Sequence, residues 1–139
     1  MFRWLLEKLF PKVRRITIAK SALEDVCEMA RSAHPNEMIA FFAASKGNNH
    51  GHIHIDELQL QAYTASRDSA SVLLSNIPMT STIIGTVHSH PGVNRTPSDA
   101  DLHLWSKFGF VHAIIGQPYV ETSISFYQKN GKRILVEIV

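Results

Sequence analysis

The sequence predicts an α/β (α+β) domain in which a curved, mixed and largely antiparallel sheet is flanked by two main helices. Short runs of apolar and β-branched residues recur along the chain and are separated by turn residues, a pattern typical of strands. Two segments carry apolar residues at helical spacing, a pattern typical of helices that pack on a sheet. The chain of 139 residues is long enough for one core, so we expect a single domain over residues 1–139.

The composition excludes several classes of protein. The chain is 45% hydrophobic and 19% charged, which is ordinary for a soluble globular protein. No apolar run is long enough for a membrane span. The formal net charge of +2 is too small to indicate a nucleic-acid partner. The one cysteine, Cys27, excludes an internal disulfide; this is consistent with a reducing compartment, and we expect a cytoplasmic protein.

Residues 1–15 form an amphipathic N-terminal segment. Its large apolar residues are Phe2, Trp4, Leu5, Leu6, Leu9 and Phe10, and its cations are Arg3, Lys8, Lys12, Arg14 and Arg15. Glu7 interrupts the apolar run and no small-residue cleavage site follows, so the segment does not resemble a signal peptide. We expect a short helix that ends before Pro11. The sequence leaves open whether it packs on its own domain, serves as a docking or dimer helix, or contacts a membrane surface, and it does not reveal the oligomeric state.

A short strand over residues 16–19 leads into the first helix. Ser21 is the expected N-cap of this helix, with Glu24 three residues later as in a capping box. The apolar stripe of the helix consists of Leu23, Val26, Cys27 and Ala30. Because Cys27 lies on this stripe, we expect it in the core and not as a nucleophile. Residues 34–36, which include a proline, are expected to end the helix.

Glu37 opens the apolar run at residues 38–44, which predicts a buried strand. A turn at residues 45–49 follows, and residues 50–60 are predicted to form the second strand of a hairpin. Three histidines alternate along that strand and so should share one face: His50, His52 and His54. This face is either solvated or an accessory metal site. No acid or cysteine joins the three histidines at ligand spacing.

Residues 61–76 are polar and serine-rich, and we expect a loop that crosses the sheet and includes a short strand at residues 72–74. The next strand begins at Ile83, where β-branched residues predominate. Alternation along this strand places His88 and His90 on the same face. Pro91-Gly92 ends the strand, since proline cannot donate to a ladder and glycine permits a turn.

Ser98 is the predicted N-cap of the second helix, over residues 98–108, and Asp101 holds the capping-box position. Gly109 is expected to end this helix. Asp101 should share the inward face of the helix with the apolar residues Leu104, Trp105 and Phe108.

Three further strands complete the predicted sheet, at residues 110–115, 122–128 and 132–138. His112 lies within the first of them, and we expect it to be a hydrogen-bonded histidine of the core or of an edge strand. Asn130-Gly131 is a strong hairpin signal between the last two strands.

The predicted elements bring a carboxylate and two imidazoles together. An inward carboxylate at Asp101 is costly among apolar side chains unless a partner compensates its charge. A metal ion held by His88, His90 and Asp101 would compensate it. Two imidazole nitrogens and one carboxylate oxygen are three protein ligands of a tetrahedral zinc site whose fourth position is open to water. His-x-His and Ser-x-x-Asp are weak signals separately, but together across a strand, a loop and a helix they indicate a metal site.

The sequence His88-Ser89-His90-Pro91, followed by six residues and then Ser98-x-x-Asp101, resembles the motif of the JAMM (MPN+) zinc metalloprotease family. The family also has an upstream glutamate near the start of an apolar strand, the position that Glu37 holds here. The resemblance covers residues 15–138. It implies a fold related to that of the cytidine deaminases.

The resemblance also implies the roles of the site residues. His88, His90 and Asp101 would be the ligands of one zinc ion per chain, Glu37 the general base, and Ser98 the donor to the oxyanion. The implied reaction is hydrolysis of the amide bond after the C-terminus of ubiquitin or a ubiquitin-like modifier. The chain lacks the large insertions of linkage-specific eukaryotic members. It therefore looks like a minimal, prokaryotic or archaeal type of member that acts on a small ubiquitin-like or sulfur-carrier protein.

Three other functions compete with this one. A zinc nucleoside deaminase needs a Pro-Cys-x-x-Cys motif, which a chain with one cysteine cannot supply. A barrel hydrolase that begins with His-x-His typically needs about 250 residues. The remaining alternative is a non-catalytic scaffold or interaction domain of MPN type, because some relatives have lost the metal ligands.

Overall fold

The computed structural model describes residues 12–60 and 82–139. The strands in these ranges are β1 Arg15–Ile18, β2 Ile39–Ala43, β3 Asn48–Asn49, β4 His52–Ile55, β5 Glu57–Gln59, β6 Ile83–Ser89, β7 Val111–Ile115, β8 Ile124–Tyr127 and β9 Glu137–Ile138. The helices are α1 Lys20–Ala33 and α2 Asp99–Trp105, with a short 3₁₀ helix at Glu121–Ser123. Neither α-helix in this part of the chain has the length and apolar character needed to cross a bilayer.

The predicted α/β class is confirmed, but the strands form two mixed sheets and not one. The five-stranded sheet has the order β5-β2-β6-β7-β8. Within it β6 and β7 are parallel, and the other pairs are antiparallel. The four-stranded sheet has the order β3-β4-β1-β9, and β1 runs parallel to both of its neighbours.

The predicted hairpin strand over residues 50–60 is divided between these two sheets. The chain leaves β4 at Asp56, whose amide donates to the carbonyl oxygen of Ala43 at 3.1 Å and whose carboxylate accepts from the amide of Ser45 at 3.0 Å. These bonds turn the chain, so β4 pairs with β1 whereas β5 pairs with β2. His50 has a positive φ of 53° and lies in the preceding turn, so the prediction that it shares a strand face with His52 and His54 is wrong.

The last predicted strand is also shorter than expected. Of residues 132–138 only Glu137–Ile138 form a strand, and it pairs with β1 in the other sheet. The turn at Asn130-Gly131 is present, because the amide of Gln128 donates to the carbonyl oxygen of Lys132 at 2.8 Å. Beyond that turn, pairing with β8 is limited to a bridge between Tyr127 and Arg133.

Helix α1 begins one residue before the predicted cap. Ala19 is the N-cap and makes no side-chain cap bond, so the prediction for Ser21 is wrong. The amide of Lys20 donates to the carbonyl oxygen of Val139 at 3.0 Å, so the first turn obtains a backbone partner and does not need a serine. The predicted apolar stripe, including Cys27, is buried. The helix ends at Ala33, before His34-Pro35, as predicted.

Each face of the five-stranded sheet packs against one helix. Phe42, Val87 and Ala113 belong to the larger core, which includes the apolar stripe of α1. Phe41, Ile114 and Tyr127 belong to a second cluster with Leu104 and Trp105 of α2. Because alternate residues of a strand face opposite sides, this second cluster defines the face of the sheet on which α2 lies.

Helix α2 ends at Trp105, three residues before the predicted end, and Ser106 is its C-cap. Gly109 lies beyond it with a positive φ of 83°. Strand β8 also begins later than predicted, because the 3₁₀ helix takes residues 121–123. The predicted N-terminal helix before Pro11 and the predicted loop and strand of residues 61–76 lie outside the described residues.

Candidate metal centre

The end of β6 carries two histidines at the centre of the five-stranded sheet. His88 pairs with Ile39 of β2 on one side and with Ile114 of β7 on the other. It therefore shares the α2 face of the sheet with them, and only 8% of it is exposed. His90 follows the last residue of the strand. Ser89 is turned away from both, and its hydroxyl oxygen accepts from the amide of Met38 at 2.8 Å.

The first turn of α2 fixes the third side chain of the group. Ser98 is the N-cap, and its hydroxyl oxygen accepts from the amide of Asp101 at 3.1 Å. In return the amide of Ser98 donates to Oδ2 of Asp101 at 2.8 Å. This reciprocal pair is the predicted capping box, and it confirms the helix start. The carboxylate of Asp101 is thus held at the helix N-terminus, on the side that faces β6.

His88, His90 and Asp101 are brought together at ligand distances. The Nε2 atoms of His88 and His90 lie 3.1 Å apart. Oδ1 of Asp101 lies 3.3 Å from Nε2 of His88, and Oδ2 lies 3.8 Å from Nε2 of His90. Ligands bound at about 2.0–2.1 Å to a tetrahedral zinc ion are roughly 3.3–3.4 Å from one another. The three donor atoms could therefore hold such an ion with little movement.

The hydrogen bond of His90 fixes the ring nitrogen that it presents to the group. Nδ1 of His90 lies 2.9 Å from the carbonyl oxygen of Asn94. A carbonyl oxygen only accepts, so Nδ1 carries the proton and Nε2 of the neutral ring presents its lone pair. Burial alone would raise the pKa of Asp101, but hydrogen bonds from His88 and Ser98 and the charge of His88 lower it to about 2. A carboxylate and an imidazole lone pair that face each other suit a cation between them.

Glu37 lies at the same end of the sheet. Ile39 pairs with His88, and the amide of Ser89 donates to the carbonyl oxygen of Met38 at 3.0 Å. Continued by two residues, this antiparallel register places Glu37 opposite His90 and on the face that carries His88. Its side chain is exposed, and it is not one of the atoms that converge with the three ligands. Glu37 therefore lies in register with the end of β6 but outside the group of three ligands.

Ser98 is an exposed residue at the start of α2. A serine hydroxyl has one proton and two lone pairs. Its capping bond to the amide of Asp101 uses one lone pair, so the proton is still available to a ligand or a substrate oxygen.

Buried aromatic rings between α2 and the sheet support the three candidate ligands. Trp105 is fully buried and stacks on His112 with the ring centroids 5.0 Å apart, and it also contacts the rings of Tyr127 and His88. His112 has the predicted structural role: its Nε2 lies 3.0 Å from the carbonyl oxygen of Phe108, and its Nδ1 lies 2.8 Å from the hydroxyl of Thr86. These contacts hold α2, and with it Asp101, against β6.

One supporting residue was not found from the sequence. Tyr119 is buried, and its hydroxyl donates to the carbonyl oxygen of His90 at 3.2 Å. The same hydroxyl lies 2.8 Å from Nδ1 of His34, which precedes the Glu37 segment. No local signal marks a tyrosine that lies 29 residues from His90 in the sequence, so only the folded chain reveals this link.

His52 and His54 form a separate pair on the four-stranded sheet. Nε2 of His52 and Nδ1 of His54 lie 2.8 Å and 2.7 Å from the hydroxyl oxygen of Thr17. Among the described residues no acid or cysteine approaches them at ligand distance. The contacts are those of a hydrogen-bonded sheet face and not of an accessory metal site.

Comparison with known proteins identifies the family. The family described as prokaryotic homologs of the JAB domain matches residues 19–128, which include all five predicted site residues. The chain is a member of the JAMM/MPN+ family. Over 130 residues the chain is 29% identical to a probable metalloprotease of Haloferax volcanii, with 90% of this chain and 80% of that protein covered.

Two solved structures are similar over most of their length. A JAB1/MPN domain protein from Archaeoglobus fulgidus is 32% identical to this chain. The match covers 89% of this chain and 96% of that protein's chain, with a TM-score of 0.68. A second structure, described as JAMM, a metalloprotease-like zinc site in the proteasome and signalosome, is 33% identical. The match covers 91% of this chain and 99% of that structure's chain, with a TM-score of 0.69.

Proposed function

We propose that this member of the JAMM/MPN+ family is a zinc-dependent metallopeptidase. The observation that carries the proposal is the convergence of two imidazole nitrogens and one carboxylate oxygen within 4.8 Å of one another, at the end of a central strand. Three protein ligands leave one position of a tetrahedral ion for water or substrate, as in catalytic zinc sites. The zinc site of the solved relative and the probable metalloprotease of Haloferax volcanii support this class.

The side chains around the ligands fit the hydrolysis of an amide. When bound, zinc supplies a polarised water with a pKa of about 7 and a Lewis acid for the carbonyl group. Glu37 accepts a proton from the attacking water and delivers it to the leaving amine. Ser98 donates its free hydroxyl proton to the carbonyl oxygen as negative charge develops there. Neither step needs a covalent link between the substrate and the protein.

A groove beside Glu37 supports an extended peptide as the substrate. It has a volume of about 680 Å³ and is lined by Asp25, Glu28, Met29, Ser32, Ala33, Met38, Ile39, Leu58 and Leu60. Two of the lining residues, Met38 and Ile39, directly follow Glu37 in the chain. Its apolar floor and the two carboxylates on its rim suit a tail that carries apolar and basic residues.

The edge position of β5 offers a second contact for such a tail. In the described sheet β5 is an outer strand, and an extended peptide can add to a free strand edge by main-chain hydrogen bonds. We propose that the substrate is the C-terminal tail of a ubiquitin-like or sulfur-carrier protein, and that the bond cut is the amide that follows it. Peptide and isopeptide linkages share this chemistry.

The test is cleavage of ubiquitin-like fusions and conjugates by zinc-loaded and chelated protein. We expect cleavage only with zinc, and we expect Glu37→Gln to keep zinc but to lose at least about 100-fold in kcat. Glu24→Gln, an exposed change on α1, is the control and should cleave like the parent. A chain that binds zinc but cleaves no member of the panel, or a Glu37→Gln variant as fast as the parent, would contradict the proposal in favour of the scaffold.

The groove is tested separately from the chemistry. Reversal of the rim charges in Asp25→Lys/Glu28→Lys should raise KM for a basic tail with little change in kcat, because the two carboxylates bind the substrate and do not touch the scissile bond. Glu24→Lys reverses one charge on the same helix outside the groove, and it is compared with the rim variant Glu28→Lys alone. If this control raises KM as much as the rim variant, the tail does not lie in the groove.

A further inference from the structure

Arg95 lies in the loop between His90 and Ser98, beside the candidate metal centre. The carbonyl oxygen of the preceding residue, Asn94, lies 2.9 Å from Nδ1 of His90. Nε of Arg95 donates to Oγ of Ser125 in β8 at 3.1 Å. Arg95 thus connects the loop that holds a candidate ligand to an outer strand of the five-stranded sheet.

The register of the sheet gives the distance of Ser125 from the ligands. His88 pairs with Ile114 of β7, and Ile114 pairs with Ser125 of β8, so the three residues lie in one row and on one face. Neighbouring strands are about 4.8 Å apart, so Ser125 is roughly 10 Å from His88. The neighbour of His88 on the other side belongs to β2. Glu37 and the proposed substrate groove therefore lie on the β2 side of the ligands, and Arg95 lies on the β8 side.

The side chain of Arg95 is held in place by its surroundings. Besides the bond from Nε, its aliphatic stem packs on Gly116, where an added Cβ would lie 3.2 Å from Cγ of Arg95. Its carbonyl oxygen accepts from the hydroxyl of Tyr127. Ser125 and Tyr127 are only 3% and 5% exposed, so both partners belong to the packed part of the sheet. A guanidinium group that is oriented in advance loses less entropy when it binds a ligand.

The guanidinium group keeps most of its donors for a ligand. Among the described residues only the Nε–H of Arg95 has a partner, so the N–H groups on both Nη atoms remain. None of the ion pairs within residues 12–60 and 82–139 involves Arg95. The residue is partly exposed, and Val93 on the same loop is 76% exposed, so solvent reaches this surface. Two parallel N–H groups of a guanidinium match the two oxygens of a carboxylate.

We propose that Arg95 is a specificity residue that binds a carboxylate on the amine side of the bond that is cut. The inference rests on the proposed function, in which the tail of the modifier approaches from the β2 side. The part of the substrate that leaves with the amine then extends to the β8 side, towards Arg95. At roughly 10 Å from His88 the guanidinium group does not touch the reacting atoms, so it contributes to binding and not to the chemical step.

The distance also limits where the carboxylate lies in the substrate. An extended chain advances about 3.3–3.6 Å per residue, so a span of roughly 10 Å reaches groups within a few residues of the cut. The carboxylate is either an acidic side chain close to the scissile amine or a free α-carboxyl group of a short leaving peptide. Both sources present the same two oxygens to Arg95.

The kinetic test uses ubiquitin-like fusions that differ only in the three residues after the cut, which are acidic, neutral or basic. For the zinc-loaded parent we expect kcat/KM to be roughly tenfold higher for the acidic than for the neutral fusion. Arg95→Gln should abolish this preference, Arg95→Lys should keep part of it, and Arg95→Glu should favour the basic fusion. Because each variant is compared with itself across the fusions, a partial loss of folded protein does not change the ranking.

Lys46→Glu is the matched control for charge. It makes the same change of charge at an exposed residue beyond the end of β2 that is remote from His88. The preference of this variant for the acidic fusion should equal that of the parent. A change as large as that in Arg95→Glu would mean that the preference reflects the overall charge of the protein, and it would overturn the proposal.

The binding test needs no cleavage. Three lysine peptides are titrated into the protein and followed by the chemical shifts of its amides: Glu-Lys-Glu amide, Gln-Lys-Gln amide, and Gln-Lys-Gln with a free carboxyl terminus. We expect a peptide that carries a carboxylate to bind about tenfold more tightly than the neutral amide, and to lose this advantage with Arg95→Gln. The tighter of the two acidic peptides identifies the source of the carboxylate.

The outcomes separate this inference from the proposed function. Equal binding of the three peptides, equal cleavage of the acidic and neutral fusions, or a preference that survives in Arg95→Gln would each overturn the proposal. If no fusion is cleaved but peptide binding depends on Arg95, the peptidase assignment fails and the carboxylate site stands.

Discussion

His112 lies between α2 and the sheet, and we predict that it lowers the stability of the protein in mild acid. The ring is fully buried. Burial lowers its pKa from the ordinary 6.5 to about 3, although the bond to the carbonyl oxygen of Phe108 favours the charged form. The folded protein therefore holds this ring neutral under conditions in which the unfolded chain protonates it.

The sign and size of the effect follow from this difference. Because the pKa in the folded state is the lower one, the unfolded state binds more protons between pH 6.5 and pH 3. Stability that is fully present above pH 6.5 is therefore lost as the pH falls through this window. For one proton the loss between pH 7 and pH 5 is about 2 kcal/mol.

The variant His112→Phe keeps an aromatic ring against Trp105 but cannot titrate. It deprives the carbonyl group of Phe108 and the hydroxyl of Thr86 of their partner, so we expect it to be less stable than the parent by about 2–4 kcal/mol at pH 7. At pH 5 the parent has lost the stability that depends on a neutral His112, whereas the variant has no such loss. The difference between their free energies of unfolding should therefore narrow by about 2 kcal/mol. Urea unfolding followed by circular dichroism in chelator measures both differences.

The exposed His103 on α2 provides the control. His103→Gln should keep the pH dependence of the parent, because this exposed side chain takes no part in the packing around His112. A stability difference between the parent and His112→Phe that stays constant from pH 7 to pH 5 would refute the argument. The pKa of His112 would then have to be about the same in the folded protein as in the unfolded chain.

Three further changes test the packing around the metal centre. Gly85→Ala should destabilise the fold by more than about 3 kcal/mol in chemical denaturation, because an added Cβ would lie 1.6 Å from the carbonyl oxygen of Val111. Ser98→Ala should cost about 1 kcal/mol of stability through the lost cap, and Ser98→Thr should restore it. Tyr119→Phe should cost about 1 kcal/mol, and hydrogen exchange should rise in the peptide that contains Glu37 while α1 stays protected.

Several parts of the site could be predicted because their signals are local. The alternation of His88 with Ser89, the turn at Pro91-Gly92 and the capping box of Ser98 and Asp101 depend on residues within four positions of one another. The apolar stripe of α1 is equally local, and it also placed Cys27 correctly in the core.

The errors arise where partners are distant in sequence. The division of residues 50–60 into β4 and β5 depends on pairing with β1 and β2, which no local pattern specifies. The start of α1 depends on the carbonyl oxygen of Val139, more than 100 residues away, so the serine signal at Ser21 was misleading. The contact of Tyr119 with His34 and His90 is likewise visible only in three dimensions.

The most direct measurement is the metal content and zinc X-ray absorption spectrum of the purified chain and its ligand variants. We predict one zinc ion per chain with two imidazole nitrogens and one carboxylate oxygen, which is lost in His88→Ala, His90→Ala and Asp101→Ala. His52→Ala and His54→Ala should keep the ion, because their rings bind Thr17. Zinc that persists after Asp101→Ala and disappears with His52→Ala would contradict the assignment of the metal centre.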